Sequence, residues 1–240
     1  MISVIIPTYM ERGFLEKCLK SIVAQDYPRE SYEIIISDSG STDGTLEIAK
    51  RYAVKVVTSE RRGIAHGRNV GAKAASGDTL VFVDADVFLR RDFLKRIECN
   101  INKGYAGIGS IGVPYDGGFF PRAVFNLTYL ISRITDIIGL PAYPGMAVAY
   151  ERRIFEKLGG FREDLGISED IDMSRRVSRA GRCKIDSKAV CYVSTRRLHK
   201  NLFFMTAFHL YNDIRYYFTG KSASRYPKND ELKGWNDVLK

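Results

Sequence analysis

Cysteine and histidine are scarce and scattered. The four cysteines lie at 18, 99, 183 and 191, and with only three histidines there is no C-x-x-C pair and no His/Cys cluster. Neither a zinc centre nor a disulfide framework is expected, and the thiols read as buried and reduced in a cytosolic protein. No uncharged run is long enough to cross a bilayer. The opening Met1-Ile2-Ser3-Val4-Ile5-Ile6-Pro7 lacks the length and basic start of a secretory leader, so a cytoplasmic location is expected. No G-x-x-x-x-G-K-S/T loop is present, which argues against a P-loop phosphotransferase. There is no internal repeat and no low-complexity segment.

What is present is a surplus of cations. The formal net charge of +9 favours anionic partners such as nucleotides, phosphorylated lipids or an acidic membrane face. No nucleic-acid-binding motif accompanies it, so nucleic acid is not an expected partner. At 240 residues with 45% hydrophobic content, the chain suits one large domain, or a domain with an appendage.

One stretch organises the rest. Leu80-Val81-Phe82-Val83 is an apolar run that ends in Asp84-Ala85-Asp86. If the strand stays extended, Asp84 and Asp86 share a face, where two carboxylates repel unless a cation lies between them. Oxygen ligands suit Mg²⁺ or Mn²⁺. The bland reading is a strand followed by a turn or helix cap, a common use of Asp.

Strand-like runs also occur at Ile2 to Ile6, Tyr32 to Asp38 and Val54 to Val57, separated by helical patterns at Phe14 to Val23, Leu46 to Tyr52 and Gly63 to Ala75. This alternation predicts βαβ units and a parallel sheet, with ligands beyond the carboxyl ends of the strands. Pro7-Thr8-Tyr9, Asp38-Ser39 and Asp84-Ala85-Asp86 all fall at such ends. A helix is predicted over 92–102, a Gly-rich strand over 105–113 and a strand over 146–150. The helical spacing over 119–138 reads either as a helix lying over the site or, the favoured reading, as a core helix. Further on come a helix over 151–158, a helix N-capped by Ser168 running to Ala180, and short strands near 183–185 and 189–193. Leu202 to Phe218 is aromatic with helical period and has basic residues after it. It reads either as an interfacial amphipathic helix or as a helix closing the core or a dimer contact.

In order along the chain, five segments resemble family-2 glycosyltransferases of the GT-A fold. They are Val4-Ile5-Ile6-Pro7-Thr8-Tyr9; Ile36-Ser37-Asp38-Ser39-Gly40-Ser41-Thr42-Asp43-Gly44-Thr45; Gly67-Arg68-Asn69-Val70-Gly71; Asp84-Ala85-Asp86; and Leu158-Gly159-Gly160-Phe161-Arg162 with Glu169-Asp170-Ile171-Asp172. The resemblance implies an α/β fold with a Rossmann-like, mainly parallel central sheet flanked by helices. A GT-A domain would cover residues 1–195, with a nucleotide-binding half over roughly 1–100 and an acceptor half over roughly 101–195. A basic, aromatic helical tail over 196–240 would follow as an amphipathic extension.

It also implies an inverting transfer of a hexosyl group from a nucleotide-diphosphate sugar, UDP- or GDP-linked. The acceptor would be the hydroxyl of a glycan or a polyprenyl phosphate. A Mg²⁺ or Mn²⁺ ion would stabilise the leaving diphosphate. By similarity Asp86 is the direct metal ligand, with Asp84 a second ligand or a contact to ribose or sugar. Pro7, Thr8, Tyr9, Glu11 and Ser39 frame the nucleotide, and Asp38 accepts a hydrogen bond from a uracil or guanine N–H. Arg68 lies near the diphosphate, its bland role being a surface or capping arginine. Asp170 is the base for a hydroxyl acceptor, with Glu169 beside it on the substrate side; the bland reading has both merely favouring a helix N-terminus.

Two departures stand out. Many members carry a histidine after the last core strand, where this chain reads Val193-Ser194-Thr195-Arg196-Arg197-Leu198-His199. His199 is thus a displaced candidate for the third ligand, while Arg196 and Arg197 are expected to bind the diphosphate or a phosphorylated acceptor. His66, at a predicted helix start, reads as a helix-surface residue or substrate contact. The membrane anchor of many polyprenyl-phosphate transferases is also missing, so peripheral membrane contact would fall to the tail. The competing readings are a sugar nucleotidyltransferase and a non-catalytic anion- or nucleic-acid-binding protein. The former wants a Gly-rich basic loop after the first strand, where this chain has Pro7-Thr8-Tyr9-Met10-Glu11.

Overall fold

The computed structural model describes residues 1–52, 54–116, 118–195 and 202–223, with the side chains of 202–206 left aside. Among these residues one sheet runs through the molecule. Its strands are β1 (Ile2–Thr8), β2 (Tyr32–Asp38), β3 (Lys55–Thr58), β4 (Thr79–Val83), β5 (Val87–Leu89), β6 (Tyr105–Pro114), β7 (Ala147–Glu151) and β8 (Arg182–Val193). They lie in the order β3-β2-β1-β4-β7-β6-β8-β5. The helices are α1 (Leu15–Val23), α2 (Thr45–Arg51), α3 (Ile64–Ala74), α4 (Phe93–Ile101), α5 (Phe119–Ile137), α6 (Arg152–Lys157), α7 (Glu169–Ala180) and α8 (Leu202–Thr219).

β1 is apolar on both faces because helices cover both sides of the sheet. Val4 and Ile6 join Ile34, Ile36, Val81 and Val83 in one core with α1 and α4. Ile5 joins Ile35, Leu80 and Phe82 in a second core against α3 and α7. Alternate residues of each strand therefore serve opposite layers, as the two-residue pleat requires. α3 lies close on β1 because Gly71 has no side chain: a Cβ there would stand 2.3 Å from Ile5 Cγ2.

The half of the sheet read as βαβ units is parallel, with β3, β2, β1 and β4 paired in register. The other half is mixed, in a sheet that is mainly parallel as a whole. β7 is antiparallel to both β4 and β6, and the short β5, which no sequence pattern flagged, pairs antiparallel with β8. The two short strands expected near 183–193 are one strand, β8, running parallel to β6 with two register shifts.

α5 corrects a second expectation. It forms where predicted, but it is not a core helix: Pro121 and Ser132 are buried, whereas Leu127, Leu130, Ile131, Ile134 and Ile137 are exposed. Its apolar residues recur at helical spacing, and spacing does not say which way the stripe points. In the tail, the inward side of α8 packs on the body of the protein. Tyr216 joins Leu165 and Ile171 in a small cluster, and Tyr217 Oη donates to Leu140 O at 3.0 Å.

Candidate active site

Three strand ends meet at one rim. At the end of β1, Thr8 Oγ1 donates to Asp38 Oδ1 at 2.8 Å, joining it to the neighbouring end of β2. Asp38 is buried and accepts three further bonds from the loop it begins: Gly40 N at 3.0 Å, Ser41 N at 2.8 Å and Ser41 Oγ at 2.6 Å. The carboxylate is thus committed to shaping the 38–45 loop, and a base N–H would reach it only by displacing a hydroxyl such as that of Ser41. The next loop is laced to this one. Ser39 N donates to Thr8 O at 3.0 Å, Met10 N to Ser41 Oγ at 2.9 Å and Glu11 N to Thr45 Oγ1 at 2.9 Å. Tyr9 stands exposed at the rim, with the Arg62 guanidinium 4.2 Å over its ring. Pro7, half-buried, sits 3.1 Å from where a Cβ on Gly67 would be, which brings the start of α3 against this rim.

The extended conformation expected to align Asp84 and Asp86 does not persist. β4 stops at Val83, and Asp84 to Asp86 form a turn closed by Val87 N donating to Asp84 O at 3.0 Å. A tight turn, not a pleat, therefore links the two aspartates. Asp86 is buried and Asp84 partly exposed. The buried thiol of Cys18 beneath them is raised well above the usual thiol range, first by burial and then by the charges of Asp86, Asp84 and Glu11. The charges of Asp86, Asp84 and Glu11 are thus felt together at Cys18, and carboxylate oxygens are the donors that a hard divalent cation takes. Among the described residues no group of three or more His, Cys, Asp or Glu is placed so that it could hold a metal ion. Arg196, Arg197 and His199 lie outside the described residues.

Arg68 is neither a surface nor a capping arginine. Among the described residues it is the largest fully buried side chain. One Nη donates to Glu169 Oε1 at 2.8 Å; the other donates to Asp84 Oδ1 at 2.9 Å and to Gly145 O at 2.8 Å. Both terminal nitrogens are therefore engaged within the chain. Burial disfavours its charge, yet Asp84, Glu169 and Asp170 outweigh that and raise its pKa. Glu169 is pushed up to about 8, by burial and then by Asp170, with Arg68 opposing.

Asp170 opens α7 beside Glu169. Its Oδ2 accepts from Gly145 N at 2.6 Å and its Oδ1 from Ile171 N at 2.8 Å. Ser168 occupies the N-cap position but does not cap: its φ is 64°, and its hydroxyl donates instead to Asp213 Oδ1 on α8 at 2.8 Å. The helix start is pinned by the tail. Asp172 is structural, buried with Arg176 Nε on Oδ2 at 2.7 Å and Tyr216 Oη on Oδ1 at 2.8 Å. His66 is likewise drawn aside, with Nδ1 3.1 Å from Glu163 Oε2.

Two residues at the site were not singled out from the sequence. Gly145 bonds to Asp170 through its N–H and to Arg68 through its carbonyl, and a Cβ there would stand 2.9 Å from both Arg68 Nη2 and Asp170 Cβ. Its only sequence signal is the Pro144-Gly145 turn dipeptide. Asp116 accepts from Thr195 N at 2.6 Å and Ser194 Oγ at 3.2 Å, tying the end of β8 to the rim. Buried polar atoms without a hydrogen-bond partner among the described residues are Ser37 Oγ, His66 Nε2 and Arg68 Nε, all at the junction of β2 and α3. Orphans gathered at one wall of a rim suit a polar ligand.

Comparison with known proteins bears on this rim. The model of the glycosyl transferase family 2 matches residues 3–159. A relative from Methanococcus voltae, named dolichyl N-acetyl-alpha-D-glucosaminyl phosphate 3-beta-D-2,3-diacetamido-2,3-dideoxy-beta-D-glucuronosyltransferase, is 41% identical over 101 residues, 39% of this chain and 32% of that protein. The poly(ribitol-phosphate) beta-N-acetylglucosaminyltransferase TarS of Staphylococcus aureus is 28% identical over 210 residues, 81% of this chain and 35% of its own length. The chain spans about a third of the length of these curated relatives. Among solved structures, the mannosyltransferase PcManGT of Pyrobaculum calidifontis, in complex with GDP-Man and Mn²⁺, superposes with a TM-score of 0.73 at 27% identity. The match covers 92% of this chain and 65% of that one.

Proposed function

The chain belongs to glycosyl transferase family 2, and on that premise we propose that it is a metal-assisted, inverting glycosyltransferase. It moves a hexosyl group from a UDP- or GDP-linked sugar to the hydroxyl of a glycan or lipid-linked acceptor, or to a lipid phosphate. The GT-A type architecture, the PcManGT complex with GDP-Man and Mn²⁺, and the dolichyl-linked name of the Methanococcus relative support this reading. The whole of residues 1–195 acts as the transferase unit, with the tail bracing its acceptor side.

The observation that carries the proposal is the joint at Arg68 and Gly145. Through it Asp84, at the end of β4, and the Glu169–Asp170 pair, at the start of α7, are held in one buried network. Asp84 and Asp86 would hold the cation, which when bound would stabilise charge on the departing diphosphate. Pro7, Thr8, Tyr9, Glu11, Asp38 and Ser39 frame the nucleotide. Asp170 accepts the proton of the acceptor hydroxyl while the acceptor oxygen bonds to the anomeric carbon and the bond to the diphosphate breaks. Arg68 orients both carboxylate groups without touching the reacting atoms. Arg196 and Arg197 are proposed to meet the diphosphate or a phosphorylated acceptor. The family match leaves the nucleotidyltransferase and binding-protein readings without support.

The test is thermal unfolding with Mn²⁺ and UDP, GDP or TDP, followed by transfer assays on Asp170→Asn. One nucleotide should raise the melting temperature. Asp170→Asn should keep that shift and lose about 10²- to 10⁴-fold in transfer to a hydroxyl. No shift with any nucleotide would overturn the donor site. Normal transfer by Asp170→Asn would remove Asp170 as base and point to an acceptor that is already an anion.

A further inference from the structure

Thirteen of the twenty large hydrophobic side chains exposed among the described residues belong to α5, the turn that follows it, and α8. They are ordered. Leu127, Leu130, Ile131, Ile134, Ile137 and Ile138 fall at the three- and four-residue steps that line one face of a helix. Leu210, Tyr211, Ile214 and Phe218 do the same on α8. The opposite faces already have partners: Ser132 is buried, Tyr129 packs into the second core, and Tyr216 packs against Leu165 and Ile171. The two helices meet where Tyr217 Oη donates to Leu140 O. An outward stripe of this kind reverses the pattern of a water-facing helix and marks an interaction surface.

The charge around the stripes names its partner. The acids in the described parts of the two helices both turn inward. Asp136 accepts from Tyr143 Oη and Ile185 N, and Asp213 accepts from Ser168 Oγ. Among the described residues, the exposed charges on the two helices and directly after α8 are Arg122, Arg215 and Lys221, all cationic, in a chain of net charge +9. Two copies meeting face to face across a twofold axis would set cation against cation, whereas a surface of anionic headgroups above an apolar layer complements both features.

The chain on either side of α5 leads into the site. The helix begins just after Asp116, which binds Ser194 and Thr195, and Ser194 N in turn donates to Asp86 O at 3.4 Å. The chain leaving it reaches Gly145, which donates to Asp170.

We propose that α5 and α8 form the face on which the protein seats against an anionic lipid bilayer. The stripes enter the boundary between headgroups and acyl chains, and Arg122, Arg215 and Lys221 lie among the headgroups. The acceptor side of the site then opens at the lipid surface; this consequence rests on the transferase reading above, while the docking itself does not.

The test is co-sedimentation of the full chain with vesicles of phosphatidylcholine and phosphatidylglycerol in equal parts, and with phosphatidylcholine alone. The wild type should bind the mixed vesicles and release partly in high salt. Ile131→Glu with Ile134→Glu, both on the exposed stripe, should bind about tenfold more weakly or less, with an unchanged melting temperature. Equal binding by this variant would overturn the proposal, since net charge alone would then explain adsorption. Failure of the wild type to bind would also overturn it. So would a concentration-dependent dimer that the variant disperses, which would assign the face to a second copy. Nucleotide-induced thermal shifts measured on the same samples test the donor site separately.

Discussion

The main-chain N–H of Gly145 donates to the carboxylate of Asp170 across 2.6 Å, joining residues 25 apart in the chain. The Gly145 carbonyl accepts from the buried Arg68, so one peptide segment fixes both the proposed base and the arginine beneath it. Gly145→Ala is expected to disturb function more than folding. The new methyl would stand 2.9 Å from Arg68 Nη2 and from Asp170 Cβ, forcing one of them aside. Overpacking of this kind costs roughly 1–3 kcal/mol, and a displacement near 1 Å at a reacting group costs about a hundredfold in rate. The measurement is kcat for transfer set against urea unfolding. A variant with normal kcat would show that the Gly145 contact does not position the base.

Arg68 bridges Asp84 and Glu169 with almost no solvent contact. Arg68→Met leaves the buried Glu169 and the partly exposed Asp84 without their shared cation, and loss of one partner of a buried ion-pair network typically costs about 3–5 kcal/mol. Arg68→Met combined with Glu169→Gln should recover part of that loss, because the buried anion is removed as well. Chemical denaturation of the single and double variants measures the coupling. Additive losses would show that the bridge contributes little as a unit.

Asp213 is raised to about 7, first by burial and then by Asp170, with the Ser168 hydroxyl opposing. A carboxyl raised on folding binds its proton more tightly in the native state than in the unfolded chain. Its contribution to stability is therefore fully present below the unfolded pKa, near 4, and is lost as pH rises through about 7. Asp213→Asn keeps an acceptor for Ser168 and cannot titrate. The stability of the wild type relative to this variant should fall by a few kcal/mol, at ~1.4 kcal/mol per pKa unit, between pH ~4 and ~7. Unfolding curves collected across that range decide it, and a constant difference would mean that Asp213 titrates normally.

The cation site makes a separate prediction. Mn²⁺ with the matching nucleoside diphosphate at about a hundred times its Kd should add ~2.7 kcal/mol of stability. Chelator, or Asp86→Ala, should abolish that gain. Asp84→Asn should weaken it less while also loosening the bridge to Arg68. A full stabilisation in Asp86→Ala would place the ion elsewhere.

Local pattern alone determined much of this protein. The centres of β1 (Val4-Ile5-Ile6), β2 (Ile34-Ile35-Ile36) and β4 (Leu80-Val81-Phe82-Val83) are apolar on consecutive residues because both faces of a covered sheet are dry, and that is visible without a structure. The periodicity of α1, α4 and α7 was equally legible, as was the order of polar segments at strand ends that brings Thr8, Asp38 and Asp84 to one rim. What the chain could not disclose was any property set by a distant partner. β7 lies antiparallel between β4 and β6, and β5 finds β8, because strand pairing depends on where the intervening chain returns. Arg68 became a buried bridge only because Asp84, Gly145 and Glu169 arrive from three other segments to satisfy it. The stripe on α5 was readable as a period, but its direction was not. Spacing fixes which residues share a face; only the packing of Tyr129 and Ser132 against the body of the protein decided that the apolar face looks outward.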